Sequence, residues 1–196
     1  MSIQKRYLTS STFSIFAKVI SIGTGIGILW LMNRILGKDE FGLAMIALSW
    51  ALLISGVIGS SAQSLILYHS SRFHGENKTD ESRNLAGACI SFSALLSLFF
   101  AALTFFISDP IADIFSKPGL AVWLQALALM IPFQVINLAQ TTWYRAHQDV
   151  PRAILYSEII PFVCRFLCLL PVWWWFGGTW SIGTVFIISA ALPSLW

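Results

Sequence analysis

The chain has 196 residues, of which 57% are hydrophobic and only 11% charged, with a formal net charge of +3. Soluble domains carry about 25% charged residues, so an ordinary water-soluble domain is excluded. Twelve basic against nine acidic side chains supply neither a nucleic-acid-binding surface nor an acidic solvating region. The composition points to an all-α, polytopic membrane helix bundle. Cys89, Cys164 and Cys168 lie in apolar stretches without CxxC or metal-ligand spacing, which argues against a disulfide scaffold or a metal site and leaves them as small apolar fillers.

A hydrocarbon core about 30 Å thick takes roughly 20 apolar residues of helix. In chain order the expected spans cover about residues 13–32, 41–68, 85–107, 120–140, 154–176 and 181–196, six transmembrane helices in one domain over 1–196. The sixth looks truncated, since its residues reach only about 24 Å at ~1.5 Å each and no polar residue closes them. The first is not a cleaved signal: it contains Lys18 and is followed by Asn33 and Arg34 in place of a small-residue cleavage site. With the N-terminus inside, one side receives Lys5, Arg6, Arg72, Lys78, Arg83, Arg145 and Arg152, and the other only Arg34, Lys38 and Lys117, which predicts a cytoplasmic N-terminus. Trp123, Trp143, Trp173 to Trp175 and Trp180 fall near span ends, as interfacial indoles do. His69 to Asn84 reads as a cytoplasmic loop, and Ser108 to Gly119, broken by Pro110 and Pro118, as an outer one.

Within a membrane bundle the informative residues are ionisable groups at membrane depth, which cost several kcal/mol unless they face protein or water. Lys18, Glu158 and Arg165 stand out. Ser14, Lys18, Ser21 and Gly25 follow i, i+4, i+7, i+11 spacing, a small and polar stripe expected to face the bundle interior. The alternative for Lys18 is snorkelling to headgroups. Glu158, Pro161, Arg165 and Cys168 share one face of the fifth helix. Glu158 and Arg165 are about 10 Å apart along the axis, too far to pair, so each needs its own partner, water or ligand. Arg165 lies near mid-membrane, about 16 Å beyond Ile154, and is the strongest site candidate, against the alternative of a buried ion pair between helices. Gln134, Asn137 and Gln140, with Gln125, read as amides joining helices. Pro132, Pro161 and Pro171 are candidate kinks.

Gly23-Thr24-Gly25-Ile26-Gly27 has no preceding strand and no Lys-Ser/Thr, so it reads as close helix packing and not as a nucleotide site. His69 and His74, with Glu76, Asp80 and Glu81, match no ligand pattern, and no cofactor is implied.

The turn Arg34-Ile-Leu-Gly37-Lys-Asp-Glu-Phe41-Gly42-Leu resembles the R-x-L-G-x-x-E-[FY]-G signature between the first two helices of polysaccharide-biosynthesis flippases. These are the Wzx-type O-antigen and exopolysaccharide transporters, in the superfamily that also holds lipid II flippases and multidrug and toxin extruders. Gly59-Ser-Ser-Ala-Gln-Ser-Leu looks like the end of that family's second helix, and Trp143-Tyr-Arg145-Ala-His-Gln148 like its turn between helices four and five. The resemblance implies a two-lobe transporter working by alternating access, of which this chain looks like the N-terminal lobe.

The implied function is a flippase of the cell inner (cytoplasmic) membrane. It would move an undecaprenyl-pyrophosphate-linked oligosaccharide, a repeat unit of lipopolysaccharide O-antigen, capsule or exopolysaccharide, with no covalent chemistry and so not as an enzyme. Lys18 and Arg165, with Arg34 at the outer end, are the expected substrate contacts, since fixed cations lower the cost of carrying a pyrophosphate through an apolar region. Glu158 is the expected coupling-ion site. Expected partners are the lipid-linked oligosaccharide, membrane lipid, and the polysaccharide polymerase and chain-length proteins, with no nucleic acid. A cation-coupled multidrug or toxin antiporter is the main alternative. A structural subunit of a glycan-assembly complex is another, and a membrane transferase would have to draw on His69 and His74.

Overall fold

The computed structural model describes residues 3–75, 79–147, 149–176 and 179–194, and among them every regular element is helical. The first helical run, Ile3–Gly75, is interrupted at Gly37, where φ is 76° and ψ is 171°. That backbone region is almost closed to residues bearing a Cβ, so the glycine of the signature turn divides the run into α1 (residues 3–36) and α2 (residues 38–75). Then come α3 (Thr79–Phe106), the short α4 (Ser108–Ile114), α5 (Gly119–Ala128), α6 (Met130–Ala146), α7 (residues 150–176) and α8 (Thr179–Ser194).

Two irregularities have local covalent causes. α5 and α6 meet at a bend of 40°, and Pro132 has no N–H to offer the Ala128 carbonyl, so the ladder opens there. Within α7 a π-helical turn, Leu155–Ile159, directly precedes Pro161, which cannot donate to the Ser157 carbonyl. Pro171, by contrast, is carried inside the continuing helix.

The burial pattern is that of a protein solvated by hydrocarbon. On α3 the buried residues are small or hydroxylated, Ser93, Ser97, Ala101 and Thr104, while Phe92, Leu95, Leu98, Phe99 and Phe106 face outward. A soluble helix would reverse this; in lipid the outer face gains nothing from burial, and small residues let helices approach. Ser97 and Thr104 donate to the Ala94 and Phe100 carbonyls at 2.8 Å, so neither hydroxyl is left unsatisfied. Residues Ile15–Ser70 and Asp80–Phe106 are apolar and long enough to cross a bilayer, as is the bent α5–α6 pair taken as one span. The protein is therefore an all-α membrane helix bundle.

The core gathers around α5 and α6, where Leu120, Trp123, Leu124, Met130 and Ile131 meet Met32 of α1, Ala44 and Ala47 of α2, Leu169 of α7 and Val185 of α8. Trp123 is 2% exposed, which corrects its reading as an interfacial indole: it fills the bundle centre. The expected loop His69 to Asn84 is also corrected, because residues 69–75 and 79–84 are helical. Helix length is set by backbone hydrogen bonding, which continues past the point where hydropathy falls. Likewise the segment Ser108 to Gly119, expected as a loop, contains α4, and the signature turn is helical on both sides of Gly37.

Candidate functional site

The small and polar stripe of α1 faces α7. The Lys18 ammonium donates to Glu158 Oε1 at 2.8 Å, and the Ser21 hydroxyl joins the same carboxylate. At Gly25 and Gly27 an added Cβ would touch the rings of Phe162 and Phe166 at 3.4 Å. Ser21 and Gly25 therefore face α7, with Lys18 reaching the same helix from the bundle's edge, and Gly25 and Gly27 are a packing surface for two aromatic rings; the Ser14 side chain lies outside the described residues. Gly23 has no such neighbour within 4 Å. The Lys18 side chain is 65% exposed and that of Glu158 22%, which puts the pair at the edge of the bundle and not in its core. Glu158 sits within the π-turn, where one residue more than an α-turn redirects the side chains that follow.

Arg165 lies about 10 Å further along α7. Its Nε donates to Ser189 Oγ of α8 at 2.8 Å, and its guanidinium lies 5.6 Å from the Phe162 ring centroid and 4.9 Å from that of Phe186. Ser189 in turn donates to the Phe186 carbonyl at 2.8 Å, which leaves its oxygen lone pairs aimed at the arginine. No carboxylate among the described residues pairs with Arg165. The charge is thus held by one hydroxyl and two ring faces, contacts that orient a guanidinium without neutralising it. Phe162 thus lies against Gly25 of α1 as well as beside Arg165.

Arg34 is placed elsewhere, near the Gly37 turn, with its guanidinium 5.4 Å from the Trp30 ring centroid. It is about 24 Å along α1 from Lys18, so the structure joins Lys18 to Glu158, holds Arg165 on the same helix α7 without a contact to that pair, and leaves Arg34 apart. Glu158 and Arg165 thus have separate partners, as their spacing requires, and the only signal in the sequence for pairing Glu158 with Lys18 was opposite charge at similar depth on two helices. Ser189 was not singled out at all; a lone hydroxyl in the apolar run from Val185 to Ala191 is the trace it leaves. Among the amides, Gln125 donates to Ser108 Oγ at 2.8 Å, tying α5 to the start of α4, whereas the buried Asn137 Oδ1 has no hydrogen-bond partner.

Among the described residues no three His, Cys, Asp or Glu side chains cluster in a way that would hold a metal ion. His69 stacks edge-on with Tyr68, while the side chains of His74 and Glu76 lie outside the described residues. The Cys164 and Cys168 sulfurs approach to 3.9 Å one turn apart, as free thiols.

No curated protein and no solved structure matches the chain. A family model described as polysaccharide biosynthesis protein matches residues 31–195, a range that holds the Gly37 turn, Glu158, Arg165 and Ser189 and begins after Lys18. With most of its length matched, the chain belongs to the polysaccharide biosynthesis protein family, here with apolar helices long enough to cross a membrane.

Proposed function

We propose that the protein is a flippase lobe that passes an undecaprenyl-pyrophosphate-linked oligosaccharide from the cytoplasmic to the periplasmic leaflet of the inner membrane by alternating access, its N-terminus in the cytoplasm. The observation that carries this reading is Arg165. A guanidinium kept among apolar helices with no carboxylate partner among the described residues is costly for a merely structural bundle. It is useful where an anion must be drawn through hydrocarbon, because a fixed fork of donors replaces the water the phosphate gives up. Lys18 is the second cationic contact. The cargo reaches it by displacing Glu158, and the released carboxylate then takes a proton or Na⁺, which is how cargo entry and ion coupling become one event. Arg34, at the outer end, is a weaker third contact. A partner lobe completes the cavity, and the polymerase and chain-length proteins take the delivered unit.

The test is surface glycan display in a deletion strain complemented with the gene carrying Arg165→Glu. Display is expected to be abolished while the protein still inserts, and export at the parental rate overturns the reading. Normal display by the deletion strain, with altered drug sensitivity, would favour a cation-coupled extruder, the second reading that a carboxylate at Glu158 supports. For orientation, a cysteine at Asp113 is expected to react with impermeant thiol reagents from the periplasmic side only.

A further inference from the structure

α7 carries two nucleophilic side chains that the cationic site does not use. Cys164 and Cys168 lie one turn apart, with their sulfurs at 3.9 Å as free thiols. Both are half-buried, and Leu167 and Pro171, which share their side of the helix by spacing, are exposed. The pair therefore opens toward the hydrocarbon on the flank of the bundle. A reagent that reaches it through lipid has to be uncharged, since a bare charge is expensive at that depth.

Three chemistries join two thiols, and the geometry separates them. A disulfide needs Cβ atoms about 3.5–4.5 Å apart, whereas side chains one helical turn apart hold theirs at about 5–6 Å, so closing that bond would distort the turn. A zinc-type ion takes four ligands, and no third His, Cys, Asp or Glu side chain among the described residues joins the pair. Trivalent aryl arsenic, a soft centre matched to sulfur, needs only two thiols, because carbon fills its third position. It bridges sulfurs that stay unbonded to each other, which is how Cys164 and Cys168 stand. The reaction balances within the site. The oxygen of an arylarsine oxide leaves as water with the two thiol protons, two As–S bonds replace the bonding to oxygen, and arsenic remains trivalent. Reagent and product are both uncharged, so bridging adds no charge at membrane depth.

We propose that Cys164 and Cys168 form an inhibitory dithiol site for trivalent aryl arsenicals on the flank of α7. The bridged turn contains Arg165 and lies between Pro161 and Pro171, whose missing N–H groups weaken the backbone ladder on either side of it. A bridge within that segment fixes the turn that aims Arg165 at Ser189. Loss of export on bridging rests on the flippase reading; the binding itself does not.

The probe is phenylarsine oxide, added to the full-length protein in mixed micelles and followed by intact mass. Cys164→Ala and Cys168→Ala should each weaken binding about 100-fold by removing one arm of the chelate. Cys89→Ala, which removes the thiol of α3, should bind as the parent does. 2,3-Dimercaptopropanol should release the reagent, and 2-mercaptoethanol at equal thiol concentration should not. Parental binding by either α7 variant, or equal release by the monothiol, overturns the site. Export is scored separately in reconstituted vesicles, where the reagent should lower it about tenfold for the parent and leave Cys168→Ala unaffected. Bound reagent with unchanged export overturns the inhibition. An untreated parent that does not export removes the flippase reading, and the binding measurements then decide the site.

Discussion

Replacing Gly183 with alanine tests the crossing of α8 over α5 that sets Ser189 against Arg165. A Cβ at Gly183 would lie 2.9 Å from the Ala126 Cβ and 3.4 Å from the Ala126 carbonyl oxygen, whereas carbon atoms rest at about 3.5–4.0 Å. The obstacle is a methyl and a carbonyl fixed to backbone, with no flexible chain to swing aside, so the two helices must separate by roughly 0.6–1 Å. Overpacking of this kind costs about 1–3 kcal/mol, and the better helix propensity of alanine returns about 1 kcal/mol, leaving a net loss of about 0–2 kcal/mol. Ala126→Gly removes the obstructing methyl, so the double variant should show a favourable coupling of about 0.5–3 kcal/mol. Unfolding in mixed micelles, followed by tryptophan fluorescence, measures all four corners of the cycle. Because Ser189 lies less than two turns beyond Gly183 on α8, the single variant should also lose glycan export, and the double variant should regain it. A Gly183→Ala protein more stable than its parent by about 1 kcal/mol, the propensity term alone, would refute the close crossing.

Gly37→Ala should destabilise the α1–α2 turn by about 1–3 kcal/mol, because alanine is forced into a backbone region that only glycine occupies readily, and the same micelle unfolding assay reads it. Lys18→Glu and Glu158→Lys should each lower export about tenfold, and the double reversal should restore most of it by re-forming the pair. Two failures without rescue would show that the residues act separately. Arg165→Leu, by removing a charge-assisted contact to the anion worth about 1.5–3 kcal/mol, should weaken retention of an undecaprenyl-pyrophosphate glycan by roughly 10- to 150-fold in vesicles. Ser189→Ala should cost less, since it removes only the group that aims the guanidinium.

The all-α, apolar character of the bundle, the α1–α2 turn and the α1 stripe were legible from the chain because each depends on residues close in sequence. Apolar length is a one-dimensional property, Gly37 answers a local demand for positive φ, and Lys18, Ser21 and Gly25 share a face through helical periodicity alone. The bends at Pro132 and Pro161 belong to the same class, since a missing N–H acts on a carbonyl four residues back. What the tertiary structure decided is which faces meet. Lys18 and Glu158 are separated by 140 residues, and Arg165 and Ser189 by 24. Nothing in the local pattern sets the azimuth of α7 against α1 or the depth of α8 against α7. Trp123 shows the same limit: proximity to a span end suggested an interfacial indole, yet packing of neighbouring helices around α5 buries it. In a bundle bathed in hydrocarbon nearly every surface is apolar, so hydropathy separates lipid from water but does not separate the lipid-facing side of a helix from its protein-facing side. Close approach of small residues and the few charges that must find partners make that choice, and both act only once the helices are assembled.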